Sequence, residues 1–113
     1  MKLDIIAKDN WTRGKTATIA DQTDTEVIAA ITGSQIHITN IHVQNSDASV
    51  ATWVNIRNGA TDVFPIYCPA AGGGATIQLR VPLKGTTSAN WSVQAETTSA
   101  EIRCVLVGFV SPG

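Results

Sequence analysis

Charged side chains are scarce in this sequence of 113 residues. Asp, Glu, Lys and Arg make up 15% of it, against about 25% in ordinary soluble domains. The shortage is uneven, because residues 1–26 hold nine of the seventeen charges. Thr, Ser, Asn and Gln take the place of charges elsewhere, and they cost less to remove from water. Two interpretations stay open: a Thr-rich solvent face of a β-protein, or a surface that is covered in the working state.

Other missing features exclude several classes of protein. The net charge is −1 and the sequence has no cluster of Lys and Arg, so a nucleic-acid partner is not expected. No run approaches the roughly 18 apolar residues of a membrane helix. Asp4 and Lys8 interrupt the apolar start of the chain, which does not resemble a signal peptide. We therefore expect a protein that is made in a cytoplasm and has no membrane contact.

Helical periodicity is also missing, and alternation of apolar and polar residues dominates instead. The pattern predicts an all-β chain, an antiparallel β-sandwich of jelly-roll-like type with about eight short strands. Residues 1–14 form either an N-terminal arm or a leading β-segment, and residues 15–113 form a single β-sandwich domain. The predicted strands are 15–20, 25–31, 35–45, 50–57, 61–67, 75–81, 90–98 and 101–110.

Three local signals predict details of the strands. The apolar phase slips by one residue at Thr39-Asn40, which indicates a β-bulge or a bend. Asn58-Gly59 predicts a hairpin with a type I′ turn, because both residues tolerate positive φ. Pro65 lies inside a predicted strand and cannot donate a ladder hydrogen bond, so that strand is expected at a sheet edge.

The last predicted strand is apolar on both faces, since Ile102, Cys104 and Leu106 alternate with a second apolar set. An isolated sandwich would leave that second set exposed or would need a further layer over it, such as the N-terminal segment. Exposed tryptophans are common anchors of protein contacts, although an exposed Trp53 could instead stack on a sugar ring. The candidate interface residues are Ile5, Ile6, Trp11, Trp53, Val105, Val107 and Phe109.

No catalytic group, metal site or cofactor site is predicted. His37 and His42 are expected to point away from the core, and a metal site needs further ligands near them. Cys68 and Cys104 are expected to be reduced and at least partly buried. Asx turns explain the short acidic motifs more simply than calcium does. The tract Gly72-Gly73-Gly74 precedes a strand rather than a helix and is therefore not a phosphate loop.

Residues 39–110 resemble the small β-sandwich structural proteins of tailed bacteriophages. The motifs that carry the resemblance are Thr39–Ser46, the Asn58-Gly59 hairpin, Gly72-Gly73-Gly74, Val81–Thr86 and the closing Gly108-Phe109. The resemblance implies a virion structural protein without catalytic residues, above all a capsid decoration or cement protein. Its implied partners are the major capsid protein, other virion proteins and further copies of itself, with a trimer favoured. A tail, collar or fibre component and a carbohydrate-binding module are the alternatives.

Overall fold

Eight β-strands and no helix make up the part of the chain that this computed structural model describes, residues 11–16 and 18–112. The prediction of an all-β chain with about eight short strands is confirmed. The strands are β1 (Trp11–Lys15), β2 (Thr25–Ile28), β3 (Ser34–Asn45), β4 (Thr52–Asn58), β5 (Thr61–Cys68), β6 (Gly74–Leu83), β7 (Trp91–Ala95) and β8 (Ile102–Pro112).

The strands form two antiparallel four-stranded sheets with the orders β1-β8-β3-β6 and β2-β7-β4-β5. The first strand pairs with the last, β2 with β7, β3 with β6, and β4 with β5. Every connection except the β4–β5 hairpin crosses from one sheet to the other. The chain is thus one long hairpin wound into a sandwich, which is the jelly-roll arrangement that the sequence predicts.

The core lies between the sheets and is built from the inward half of each alternating strand. Full burial of a large aliphatic side chain contributes about 1.5–3 kcal/mol, so this layer dominates the stability of the fold. Trp91 is its largest side chain, and its Nε1 donates a hydrogen bond to the carbonyl oxygen of Ile36 on the opposite sheet, at 2.7 Å. The other fully buried large residues include Ile38, Ile41, Val43, Val54, Ile56, Cys68, Val93, Ile102 and Leu106.

The first strand lies earlier in the chain than the sequence predicts. β1 covers Trp11–Lys15 rather than residues 15–20, so the expected domain boundary between residues 14 and 15 falls within a strand. A Cβ atom at Gly14 would collide with the carbonyl oxygen of Val27, and glycine therefore allows β1 to approach β2 closely. Ile19 is buried and forms only an isolated bridge with Ile102. Alternation alone could not separate this buried residue from a regular strand.

The predicted bulge in β3 is confirmed. Ile38 pairs with Gly108 of β8, whereas Asn40 pairs with Val107, so Thr39 is an extra residue with no partner. Because the extra residue shifts the alternation by one position, Ile41 and the alternate residues after it point into the core. One strand of 12 residues can therefore contribute to the core along its whole length.

The β4–β5 hairpin lies where the sequence predicts it, but the predicted turn type is wrong. Asn58 and Thr61 are paired, and the two turn residues are Gly59 and Ala60. Only Gly59 has positive φ, at 60°, which fits a type II′ turn with glycine first. The Asn58 amide is used differently: its oxygen accepts from the backbone N–H and hydroxyl of Thr86, and its nitrogen donates to Asn90. These bonds hold Asn58 in the strand.

Pro65 belongs to β5, which is the last strand of its sheet. The predicted edge position is confirmed. The missing N–H costs no ladder bond on the open side of an edge strand. Proline also discourages another chain from adding to this edge.

Candidate interaction faces

The outer surface of the sheet β1-β8-β3-β6, called the β8 face below, carries a row of apolar side chains. Val105, Val107 and Phe109 project outward from β8, because Cys104, Leu106 and Gly108 between them are buried. Trp11 of β1 lies directly opposite Phe109 in register and is 49% exposed. The structure thus brings four of the predicted interface residues onto one face. The expected two-sided apolar character of the last strand is confirmed.

An aromatic cluster forms one end of the β8 face. The rings of Trp11 and Phe109 meet edge to face with their centroids 5.9 Å apart, and His37 lies 5.0 Å from Phe109 on the other side. The Nε2 atom of His37 is 2.7 Å from the hydroxyl of Ser111, and Nδ1 accepts from the N–H of Gly85 at 3.4 Å. These contacts suit a neutral imidazole. Burial, and then the nearby charge of Lys84, lower the pKa of His37.

The other end of the β8 face is basic. Arg13 and Lys15 of β1 lie opposite Val107 and Val105. Arg103 lies on β8, two residues before Val105. Lys15, Arg103 and Val105 share the wall of one shallow depression with His42. The Nε of Arg103 donates to the hydroxyl of Thr18 at 3.3 Å, which limits its freedom. The result is a patch in which cations flank an apolar strip.

Acidic side chains avoid this face. Seven Asp and Glu residues fall in the described part of the chain, and none projects from the outer side of these four strands. The nearest in register is Glu101, which precedes β8 and accepts a hydrogen bond from the hydroxyl of Ser46 at 3.1 Å. Sequence reasoning missed this patch, because its cations are distributed over ninety residues. The only local signal was the alternation of the cations Arg13 and Lys15 with Gly14. It would have been recognised if the first strand had been predicted over residues 11–15.

The outer surface of the other sheet, called the β4 face below, is aromatic and acidic. Trp53 and Tyr67 form a cross-strand pair with their rings 5.4 Å apart, and they are 47% and 49% exposed. The expectation that Trp53 is exposed is confirmed, although it lies on the face opposite Trp11 and Phe109. Near this pair, the carboxylate of Glu96 accepts a hydrogen bond from the amide of Asn55 at 2.9 Å.

Arg57 is the only described cation on the β4 face, and it is bound on several sides. Its Nη1 lies 3.0 Å from the carboxylate of Asp24, and its Nε lies 2.8 Å from that of Asp62. Its Nη2 donates to the carbonyl oxygen of Ala60 at 2.7 Å. Arg57 therefore links the residue before β2 to the β4–β5 hairpin. The carboxylates of Asp24 and Asp62 neutralise its charge.

Asn45 and Asp47 organise the connection from β3 to β4. The fully buried amide of Asn45 donates to the carbonyl oxygens of Val50 and Cys68 and accepts from the N–H groups of Asp47 and Glu101. The carboxylate of Asp47 accepts from the N–H groups of Ser49 and Val50, which lower its pKa. Asx-type turns therefore account for this acidic motif.

The described residues provide little for catalysis. Cys68 and Cys104 are free and buried on the inner faces of opposite sheets, as expected. Burial raises the pKa of Cys68 to about 11 and that of Cys104 to about 12, whereas a nucleophilic cysteine needs a lowered value. Within residues 11–16 and 18–112, no three His, Cys, Asp or Glu side chains lie close enough to hold a metal ion. The same residues include no helix that could cross a membrane.

Two of the predicted interface residues, Ile5 and Ile6, lie outside the described residues. The other five divide between the two faces, four on the β8 face and Trp53 on the β4 face. No family model matches the sequence, and no curated protein is significantly similar to it.

Proposed function

We propose that this protein is a structural component of a tailed-phage virion, a decoration or cement protein that binds between capsid subunits. The observation that carries the proposal is the β8 face, an outer sheet surface on which the exposed Trp11 and the half-buried Val105, Val107 and Phe109 lie in one row. Such a row is costly to leave in water and typical of a surface that meets another protein. The jelly roll is used by many viral capsid proteins, but a fold alone does not determine function.

The physical role of such a protein is to stabilise a state to which it binds. A ligand that binds the assembled particle and not its separated subunits stabilises the particle by mass action. At a free concentration about one hundred times the dissociation constant, this amounts to about 2.7 kcal/mol per site. A passive clamp needs a rigid surface and no reactive group, which agrees with the well-packed core and the unreactive buried thiols.

Self-association is part of the proposal, with a trimer favoured by analogy to proteins that occupy three-fold positions of capsids. Closed symmetry permits a dimer equally well. Light scattering on the purified protein distinguishes monomer, dimer and trimer directly. A monomer that also fails to bind heads would overturn the decoration role.

The direct test of the proposal is sedimentation of the purified protein with phage heads that lack it. The wild-type protein should pellet with the heads, and Val107→Asp should not, because it replaces an apolar side chain in the centre of the contact with a charge that is costly to remove from water. Val63→Asp is the matched control, since Val63 is an exposed valine on edge strand β5 of the other sheet. Circular dichroism must show that both variants are folded. Equal pelleting of the two variants would argue against this face as the site of attachment.

The exposed pair of Trp53 and Tyr67 favours a second candidate, a carbohydrate-binding module on the β4 face. Aromatic rings beside the polar groups of Asn55 and Glu96 are suited to stacking and hydrogen bonding with a sugar. Retention on a glycan array that is lost in Trp53→Ala would support this candidate. Absence of any retention would argue against this candidate.

A further inference from the structure

We propose that the β8 face docks onto an acidic, partly apolar surface of another protein. The partner would present carboxylates to Arg13, Lys15 and Arg103, and apolar side chains to Val105 and Val107. This inference rests on the proposed virion role only for the identity of the partner, which would then be a capsid subunit. The chemistry of the contact follows from the face itself.

The distribution of charge is the first observation. Six basic side chains are described, and five of them, Arg13, Lys15, Arg80, Lys84 and Arg103, belong to the sheet β1-β8-β3-β6 or to the loop that follows β6. The sixth, Arg57, is on the β4 face and has both of the ion pairs found among the described residues. The cations of the β8 face therefore have no described carboxylate within ion-pair distance. Within the described part of the chain, these cations are therefore free to pair with the carboxylates of a partner.

A second copy of the chain does not supply that charge. A symmetric contact between two β8 faces would bring the cations of one copy against those of the other, and like charges in a contact cost affinity. The acidic β4 face is complementary, but it lies on the opposite side of the sandwich. Stacking β8 faces on β4 faces would therefore continue without closing, as open head-to-tail contacts do. A closed trimer must then use other surfaces.

The charge of the first ten residues does not complement these cations either. They contain two lysines and two aspartates, so they have no net charge to offer the cations. Nucleic acid is disfavoured for a different reason. Val105 lies between Lys15 and His42, and Val107 lies between Arg13 and Asn40. An apolar strip in this position has no favourable contact with a phosphate backbone.

The size of the face also suits a protein partner. The four strands have 5, 11, 12 and 10 residues, and with about 3.3 Å per residue and about 4.8 Å between strands they give a surface of roughly 600 Å². A standard protein interface buries about 800 Å² on each partner. One partner could therefore cover most of the β8 face.

The experiment uses the full chain, labelled with nitrogen-15, and three probes: a peptide of about ten Glu-Val repeats, its Lys-Val counterpart, and a DNA duplex. Addition of the Glu-Val peptide should shift the amide signals of β1 and β8 around Lys15 and Val105. The signals of Trp53 and Tyr67 should stay in place. The Lys-Val peptide should bind at least tenfold more weakly.

Two variants with the same change in net charge then separate a local effect from a general one. Arg13→Ser/Lys15→Ser/Arg103→Ser should weaken Glu-Val binding about tenfold, as expected for three exposed ion pairs. Ala48→Glu/Thr87→Glu/Thr98→Glu places the charge in three loops and should change binding less than twofold. Equal loss in both variants, shifts confined to the β4 face, or tighter binding of DNA than of peptide would overturn the inference.

The peptide assay and the sedimentation assay can fail independently. Peptide binding on the β8 face without binding to heads would support the docking surface and contradict the virion role. Head binding that is unchanged by the three serine substitutions would support the virion role. It would also show that the cations of the β8 face do not contribute to attachment.

Discussion

The indole nitrogen of Trp91 in β7 donates a hydrogen bond across the sandwich to the carbonyl oxygen of Ile36 in β3, at 2.7 Å. Both residues are fully buried. The bond satisfies the only polar atom of the largest core side chain, and it connects the two sheets at a fixed point. Buried tryptophan is tolerated only where its N–H has such a partner.

We therefore expect Trp91→Phe to destabilise the fold by about 2–4 kcal/mol, because it leaves a carbonyl oxygen unpaired and a gap in the core. Urea unfolding followed by circular dichroism measures the change. Trp53→Phe is the control, since that ring is half-exposed, and it should change the free energy of unfolding by less than about 0.5 kcal/mol. Similar losses in both variants would mean that Trp91 does not have this special role.

The β4–β5 turn gives a second prediction. Gly59 has φ of 60°, and a Cβ atom there would meet only Ala89, at 3.9 Å. Space is therefore not limiting, and the cost of Gly59→Val is backbone strain, which we expect to exceed about 1 kcal/mol. Ala60→Val, one residue on and without positive φ, should cost less. An unchanged melting temperature for Gly59→Val would contradict the turn described above.

His37 should make stability depend on pH. Its pKa in the folded protein is lowered from the ordinary value of 6.5, so the unfolded chain takes up the proton first as pH falls. Stability is therefore complete above pH 6.5 and declines below it, until the folded imidazole is also protonated. Asp47, whose carboxyl pKa is lowered from 3.8, acts in a separate and more acidic window.

Urea unfolding at about pH 7.5 and at about pH 5 tests this dependence on His37. His37→Gln should reduce the difference between the two conditions, because glutamine does not titrate. Lys84→Met should reduce it in part, since the Lys84 charge contributes to the lowered pKa. A difference that is unchanged in His37→Gln would assign the dependence to other groups.

The two cysteines should resist alkylation in the native protein. Burial raises the pKa of both thiols to about 11 or above, so almost no thiolate exists at neutral pH and reagents have no access. Intact mass should show no adduct after native treatment and two adducts after treatment in denaturant without reductant. No adduct in denaturant would indicate a disulfide, and rapid native labelling would indicate an exposed thiol.

The sequence predicted those features of the fold that leave a local trace. Alternation located most strands, a phase slip located the bulge at Thr39, and the Pro65 rule located an edge strand. The turn type was missed because the side-chain bonds of Asn58 to Thr86 and Asn90 hold it in the strand. These partners are about thirty residues away and leave no mark in the local sequence.

The candidate site was less predictable than the fold for the same reason. The apolar row on β8 could be identified within one strand, because Val105, Val107 and Phe109 alternate with core residues. The cations of the β8 face could not be identified in this way, because Arg13 and Lys15 approach Arg103 only when the two ends of the chain pair as β1 and β8. A search for local clusters of charge finds nothing in such a sequence.

Mass spectrometry of purified particles would show whether the proposed decoration protein is a fixed part of a virion. Particles from a lysate that expresses the chain should be separated into intact virions, tail-less heads and soluble protein. We predict that the chain is present in virions and heads in proportion to the major capsid protein. Its recovery in the soluble fraction alone, with none in either particle, would rule out a structural role in the virion.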